Sequence, residues 1–553
     1  MLTKARELGL RKRLSRFSLA LCGSLVAFFV LSILLRPIVV DTHHFDDMVF
    51  LLDVGWRASH GLVAGRDFEH LYPGGVAEIL GLSFRLFGPS ARSIDIGFVM
   101  LFMIASGLAI LMQVGRVPVW AIHLSVLVSA AIVISGMPIE LPLAWFHSTH
   151  SFVYNHIAVV LYLGLAPFVL LSVRRPGVEI AGAIACGAAI AFISLLKVMF
   201  LAAVPVLLLV LLVRGRWRAL VIVVSVSTLV LLSFGSPVER LFSAYEVTVG
   251  IVSSDQSLGG VSGRLRVGFL LFSATLTYLI VLGVVGWGPL ARAGWSGVSA
   301  LGLLFLIFAN YLGMSLLMGG GVGLKWVPGV FFASICLAEI IGRLPESRAR
   351  GQSALSRSAI LWALAVGSAF MLVLPGLAVS AKTHLTAWKL RGLMLADTGL
   401  LSQYWVKGSV TDHLDGASSG PARLDQAIMR ANEDLRSGLT SDAHEYVIFA
   451  DGLSLLESLD GLSGLSVVSN GRMFGFSMPS GSRPLRGYPT WVTPGLNWFA
   501  KNPAGLTEVD VVMIANPLAG FGLVTEELQG LMGDDFVVAG ESVFWTMYRR
   551  RTP

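Results

Sequence analysis

Between residues 41 and 75 the chain collects side chains able to move protons or hold cations: Asp41, His43, His44, Asp46, Asp47 and Asp53, then Asp67, Glu69, His70 and Tyr72. Carboxylates at this density suit general-base chemistry or a divalent cation. A connection between two helices needs only a few residues. This segment is far longer and more polar, so it has another task. A second polar stretch runs from Glu140 to His156 and holds Trp145, His147, His150, Tyr154 and Asn155. His147 and His150, with His43 and His44, have donor atoms that zinc accepts. Their spacing follows no fixed ligand pattern, so no metal site is assigned. Trp145 and Tyr154 fit the aromatic belt of a membrane interface.

The elements that must position these segments are apolar. Of 553 residues, 55% are hydrophobic and 14% charged, against about 25% charged in soluble domains. The mean hydropathy is +0.75. This much apolar surface needs lipid as its solvent. Apolar runs lie near 17–35, 94–113, 118–136, 154–173, 178–196, 199–213, 218–233, 266–286, 297–318, 323–342 and 357–378. They predict about eleven transmembrane helices. The first run follows Lys4, Arg6, Arg11, Lys12, Arg13 and Arg16. It is too long for the core of a signal peptide and reads as an uncleaved span. The run 75–88 is too short and too polar to cross. It predicts a helix lying at the interface.

Arginine sets the orientation. With the basic N-terminus inside, alternate loops carry Arg116; Arg174 and Arg175; Arg214, Arg216 and Arg218; Arg292; and Arg343, Arg348, Arg350 and Arg357. Every loop placed in the cytoplasm therefore holds arginine, as the positive-inside rule requires. An odd number of spans then puts the C-terminal segment outside. The net charge of +7 is spent on topology and does not point to nucleic acid. Cys22, Cys186 and Cys336 all lie in apolar runs, which excludes a disulfide framework and a cysteine-based zinc site. Four cations fall outside this pattern, near the outer ends of spans: Lys197, Arg264, Arg266 and Lys325. Held there, they suit an anionic headgroup such as a lipid phosphate. The alternative is ordinary snorkelling.

After Val379 the long apolar runs end. Segments 446–450, 464–469, 510–515 and 536–548 read as strands, and 422–437, 452–459 and 524–532 as helices. This alternation predicts a small α/β domain. No GxGxxG follows its first strand, so Asp451-Gly452 is not a dinucleotide fingerprint.

The first outer loop resembles the GT-C superfamily of polyprenyl-phosphate-sugar-dependent membrane glycosyltransferases. The matching residues are Asp46-Asp47 just past the first span, Gly65-Arg66-Asp67-Phe68, His70-Leu71-Tyr72-Pro73, and Phe87-Gly88 ending the 75–88 helix. Tyr154-Asn155 opening the fourth span, and Lys197 closing a Gly/Ala-rich one, are similar too. Pro73-Gly74 departs from the Pro-Pro of many members. The detailed likeness covers residues 17–200; beyond that only the layout is similar.

The resemblance implies a polytopic α-helical membrane domain, 1–379, with a catalytic first outer loop (41–75) and an interfacial helix (75–88). An extracytoplasmic α/β domain, 380–553, would follow. It implies sugar transfer, with inversion, from a polyprenyl-phosphate donor to a glycan, lipid or protein acceptor of the cell envelope, at the plasma (inner) membrane. Asp46 becomes the candidate general base and Asp47 the second candidate; capping of the helix near Met48 is the structural alternative for Asp46. Asp67, Glu69, His70, Tyr72, Tyr154, Asn155, Lys197, Arg264, Arg266 and Lys325 become candidates for binding substrate. For Asp67, Glu69 and His70 the alternative is a turn before Pro73. No cofactor is required, although a divalent cation suits the carboxylates. Two rival readings remain. A transporter or flippase should show repeats and charge at mid-bilayer. A non-catalytic envelope assembly protein would not need the acidic loop.

Overall fold

A computed structural model describes residues 2–35, 38–41, 45–68, 70, 72–137, 139, 152–254, 284–285, 295–317, 323–343, 351–389, 404–407, 421–437, 442–470, 475–488, 503–516 and 525–551. The helices are α1 (Leu2–Leu35), α2 (Phe45–Ser59), α3 (Gly75–Phe87), α4 (Ala91–Gln113), α5 (Val119–Val133), α6 (Val153–Leu170) and α7 (Pro176–Leu196). They continue as α8 (Val204–Val213), α9 (Trp217–Ser233), α10 (Pro237–Ser254), α11 (Trp295–Leu317), α12 (Val327–Arg343) and α13 (Gly351–Lys389). Helices α14 (Pro421–Arg436), α15 (Asp442–Glu457) and α16 (Thr525–Met532) belong to the C-terminal part. Among the described residues six helices are long and apolar enough to cross a membrane, or seven if α9 and α10, bent by 83° at their junction, count as one span. The apolar run at 266–286 lies outside the described residues.

The chain forms two compact units. The first comprises Met1–Ile33, Val99–Pro237 and Ser257–Ser380. Its centre is α6, a window of which is 100% buried, whereas only 22% of the window in α1 is. Small residues let the backbones approach, as membrane helices without a hydrophobic drive between them require. A Cβ added at Gly187 of α7 would meet the Val223 carbonyl of α9 at 2.7 Å. Tyr162 of α6 donates to the Ile307 carbonyl (3.1 Å), and Asn310 of α11 donates to Tyr162 Oη and to the Ala203 carbonyl, both at 3.0 Å. These bonds satisfy polar groups that lipid cannot.

At one end of this unit the arginines of three loops converge. Arg116 Nη2 pairs with Glu179 at 2.5 Å, and Arg216 Nε donates to the same carboxylate at 2.9 Å. Both guanidiniums lie over the Phe168 ring, 4.6 and 4.5 Å from its centroid. Arg343 donates to the carbonyls of Arg116 and Ser172 at 2.5 and 2.9 Å. The three arginines belong to segments placed in the cytoplasm by the arginine rule, and Phe168, Ser172 and Glu179 to the adjoining ends of two spans.

The second unit comprises Leu34–Phe98, Val238–Gln256 and Ala381–Pro553. These are the first, the fourth and the last of the segments that the same rule places outside. A four-stranded sheet of order β3-β4-β6-β5 anchors it, with β3 (Val467–Ser469) parallel to β4 (Val511–Ala515). β6 (Trp545–Arg550) is antiparallel to both β4 and β5 (Phe536–Glu541). Residues 446–450, expected as a strand, lie in α15. A five-residue apolar run does not distinguish strand from buried helix. Here Val447, Ile448, Phe449 and Ala450 are all buried. Trp545 Nε1 ties α15 to the sheet through the Ile448 carbonyl at 2.7 Å. Segment 536–548, expected as one strand, is a hairpin turning at 542–544. A second, two-stranded sheet has no local signature: β1 (Ile38–Asp41) runs parallel to β2 (Tyr404–Lys407), with Asp41 opposite Lys407.

Candidate active site

The acidic pair falls where the chain leaves β1. Asp46 and Asp47 lie in the first turn of α2. The C-terminal half of α2 is held by partners within the second unit. Asp53 and Arg57, four apart and each 2% exposed, form an ion pair of 2.8 Å. Arg57 Nη1 also donates to the carbonyls of Leu485 and Tyr488, at 3.0 and 3.1 Å. Its guanidinium lies 5.2 Å from the Phe68 centroid and 5.9 Å from that of Tyr488. Trp56 Nε1 donates to the Ser482 carbonyl at 3.1 Å. Burial pushes the Tyr488 hydroxyl above the ordinary tyrosine range.

The Gly65–Pro73 segment folds beside this helix. Asp67 accepts from the Val63 N–H (2.8 Å) and pairs with Arg66 (2.8 Å), which closes its own turn. Burial alone would raise the Asp67 carboxyl, but Arg66 and the Val63 N–H hold it below the usual range. Its carbonyl accepts from the Gly487 N–H at 2.6 Å. His70 is buried, with Phe50 at 5.1 Å and Tyr72 at 5.7 Å between ring centroids. Burial, and then the Arg57 charge, push its imidazole down to about 3, so it is neutral at ordinary pH. Gly65 has φ +81°, and a Cβ there would meet Arg240 Cα at 2.6 Å. Arg240 of α10 is buried and pairs with Glu78 of α3 at 2.9 Å.

The buried imidazole has a stability consequence. Its folded value lies below the unfolded value of 6.5, so below that pH the unfolded chain binds a proton that the folded chain refuses. Stability is expected to fall as pH drops from 6.5 towards 3, by up to about 1.4 kcal/mol per unit from this group. His70→Gln should flatten that slope. Melting of the purified protein across this range checks it; equal slopes in both proteins would remove His70 as the cause.

The remaining candidates divide as follows. Glu69, Arg264 and Arg266 lie outside the described residues, as do His43, His44, His147 and His150. Tyr154 and Asn155 are buried in the first turn of α6, in the first unit. Lys197 ends α7 in extended backbone, its Nζ 5.8 Å from the Phe200 centroid. Lys325 is buried just before α12, and its carbonyl accepts from Tyr311 Oη at 2.7 Å. Among the described residues no three or more His, Cys, Asp or Glu side chains are grouped to hold a metal. Arg57, Arg240 and Glu78 were not singled out by sequence, and Asp53 stood there only as one carboxylate of the acidic loop. The spacing of Asp53 and Arg57, one helical turn apart, was the available signal; Arg240 offers none.

No family model and no curated protein matches the chain. In fold it is similar to ArnT from Cupriavidus metallidurans, solved with undecaprenyl phosphate (12% identity, 96% of this chain and 97% of that one, TM-score 0.39). The apo form of ArnT gives 12% identity, the same coverage of 96% and 97%, and TM-score 0.43. An Archaeoglobus fulgidus oligosaccharyltransferase, solved with Zn and sulfate, gives 12% identity, 89% and 68% coverage, and TM-score 0.36. At these scores no residue role passes from them to this chain. Its resemblance to the GT-C superfamily stands on its own residues: Asp46-Asp47, the Gly65–Pro73 segment, and a helix ending in Phe87-Gly88.

Proposed function

We propose that the chain is a membrane glycosyltransferase that moves a sugar from a polyprenyl-phosphate donor to an acceptor hydroxyl of an envelope glycan, lipid or protein outside the cytoplasm. Asp46 takes the hydroxyl proton as the oxygen attacks the anomeric carbon. The bond from that carbon to the phosphate oxygen breaks with inversion, and polyprenyl phosphate leaves. Lys197, Arg264, Arg266 and Lys325 are the candidates for stabilising the phosphate charge. A phosphate is already a good leaving group, so no protein acid is required. One observation carries this reading. The acidic pair opens a helix clamped by buried partners, in a unit assembled from segments predicted to lie outside. A transporter would not need an acidic pair there. A transport role would instead place charge at mid-bilayer.

The test is release of polyprenyl phosphate from a labelled polyprenyl-phosphate sugar by the purified protein, with mass spectrometry of co-purified lipid. Movement of the donor between leaflets without bond cleavage would replace this reading by the flippase. The orientation is tested separately. Reporters fused after Val379 are expected to report an extracytoplasmic environment, and a cytoplasmic signal would overturn both the eleven-span topology and the site.

A further inference from the structure

Position Asp46, Phe50, Asp53 and Arg57 recur along α2 at alternating steps of four and three, so all four fall on one stripe of the helix. Phe50, Asp53 and Arg57 are buried. Phe50 packs on His70 and Tyr72, with centroids at 5.1 and 6.2 Å. Arg57 is held by Asp53 and by the carbonyls of Leu485 and Tyr488. Carbonyls of a loop are fixed in place only when the loop is. Here Tyr488 Oη donates to the Ser469 carbonyl of β3, the Gly487 N–H donates to Asp67, and Asp53 packs against Gly475. Asp53 fixes the guanidinium on its own helix, and the two carbonyls outside the helix then fix the helix's rotation about its axis. One residue of rotation, about 100°, would break both bonds to the 482–488 segment, while Asp53, on the same helix, turns with Arg57. It would also turn the position of Asp46 by the same angle, about three turns away.

We propose that Arg57 is a positioning residue: through it, segment 482–488 of the C-terminal part sets the rotation of α2 and hence the angular position of residue 46 on that helix. This inference rests on the assignment of Asp46 as the base. The C-terminal part then supplies precision to the reaction without contributing a reacting group. Segment 482–488 does so with carbonyl oxygens, which is why no motif marks it.

Arg57→Lys separates this role from simple stability. Lysine keeps the charge that Asp53 requires, but its single ammonium group lacks the fork that reaches two carbonyls and a carboxylate. Two measurements are made on folded protein isolated by size exclusion. First, Asp46→Cys is labelled with a water-soluble maleimide in the wild-type and Arg57→Lys backgrounds, with Asp460→Cys, exposed and away from α2, as the reference. A labelling rate at position 46 altered threefold or more, with the reference unchanged, is expected; equal rates overturn the proposal. Second, kcat for sugar transfer is expected to fall on the order of 10²-fold, as a displacement of about an ångström can cause, while KM for the donor stays within about threefold. An unchanged kcat with a lowered melting temperature would make Arg57 merely structural and overturn the proposal. A wild-type protein that cleaves no donor would remove the assigned activity, and the labelling rates would then decide the positioning role alone.

Discussion

Asp46→Asn is expected to abolish sugar transfer while leaving expression, folding and donor binding close to wild type. Asparagine keeps the size of the side chain and still accepts a hydrogen bond, so any capping of the first turn of α2 largely survives. Its amide does not take a proton. General-base catalysis contributes about 10²–10⁴-fold, so the loss belongs in kcat and not in stability. Asp47→Asn and Asp41→Asn are the controls. Asp41 lies in β1 opposite Lys407, before the helix begins, and milder losses are expected from both. The measurement is transfer of labelled sugar from polyprenyl phosphate by the three purified variants. Wild-type turnover by Asp46→Asn would remove this residue from the mechanism. Equal losses in all three would indicate a shared cation, because carboxylates that bind one ion fail together.

How much of this was legible follows from the range of each signal. The helices of the first unit were visible because lipid demands long apolar runs, and α4, α7, α9 and α11 begin and end within a few residues of those runs. Helix α3 was visible through its length and its Gly88 terminus. The pairing of β1 with β2 was not: two four-residue strands join segments from opposite ends of the chain, and short strands carry no partner information. The misread strand at 446–450 shows the same limit from the other side, since burial on all faces erases the period that separates helix from strand. At the proposed site, the acidic pair stands out in the sequence by residue type alone. The clamp on Arg57 was legible only in half. Asp53 is a carboxylate one turn away, but the other acceptors are the carbonyls of Leu485 and Tyr488, which every residue possesses.

The arginines of the first unit were read as topology signals, and their geometry gives them a second role. Arg116 is fully buried, and Arg216 and Arg116 share one phenyl ring and one carboxylate, that of Glu179, whose side chain is 24% exposed. Without that carboxylate two guanidiniums share the Phe168 ring with no compensating charge between them. Glu179→Gln is therefore expected to cost about 3 kcal/mol, the lower end of what breaking a buried pair costs, since water reaches part of the carboxylate. Melting of the purified protein in detergent should show this as a fall of several degrees, with donor binding measured below the transition unchanged. The cause is separable by a double-mutant cycle. Arg216→Gln in the Glu179→Gln background removes one of the two opposed charges, so the double variant should melt above Glu179→Gln alone. A double variant that melts lower still would mean that the carbonyl bonds of Arg216, to Phe168 and Val169, outweigh the repulsion, and the charge-compensation account of this cluster would fall.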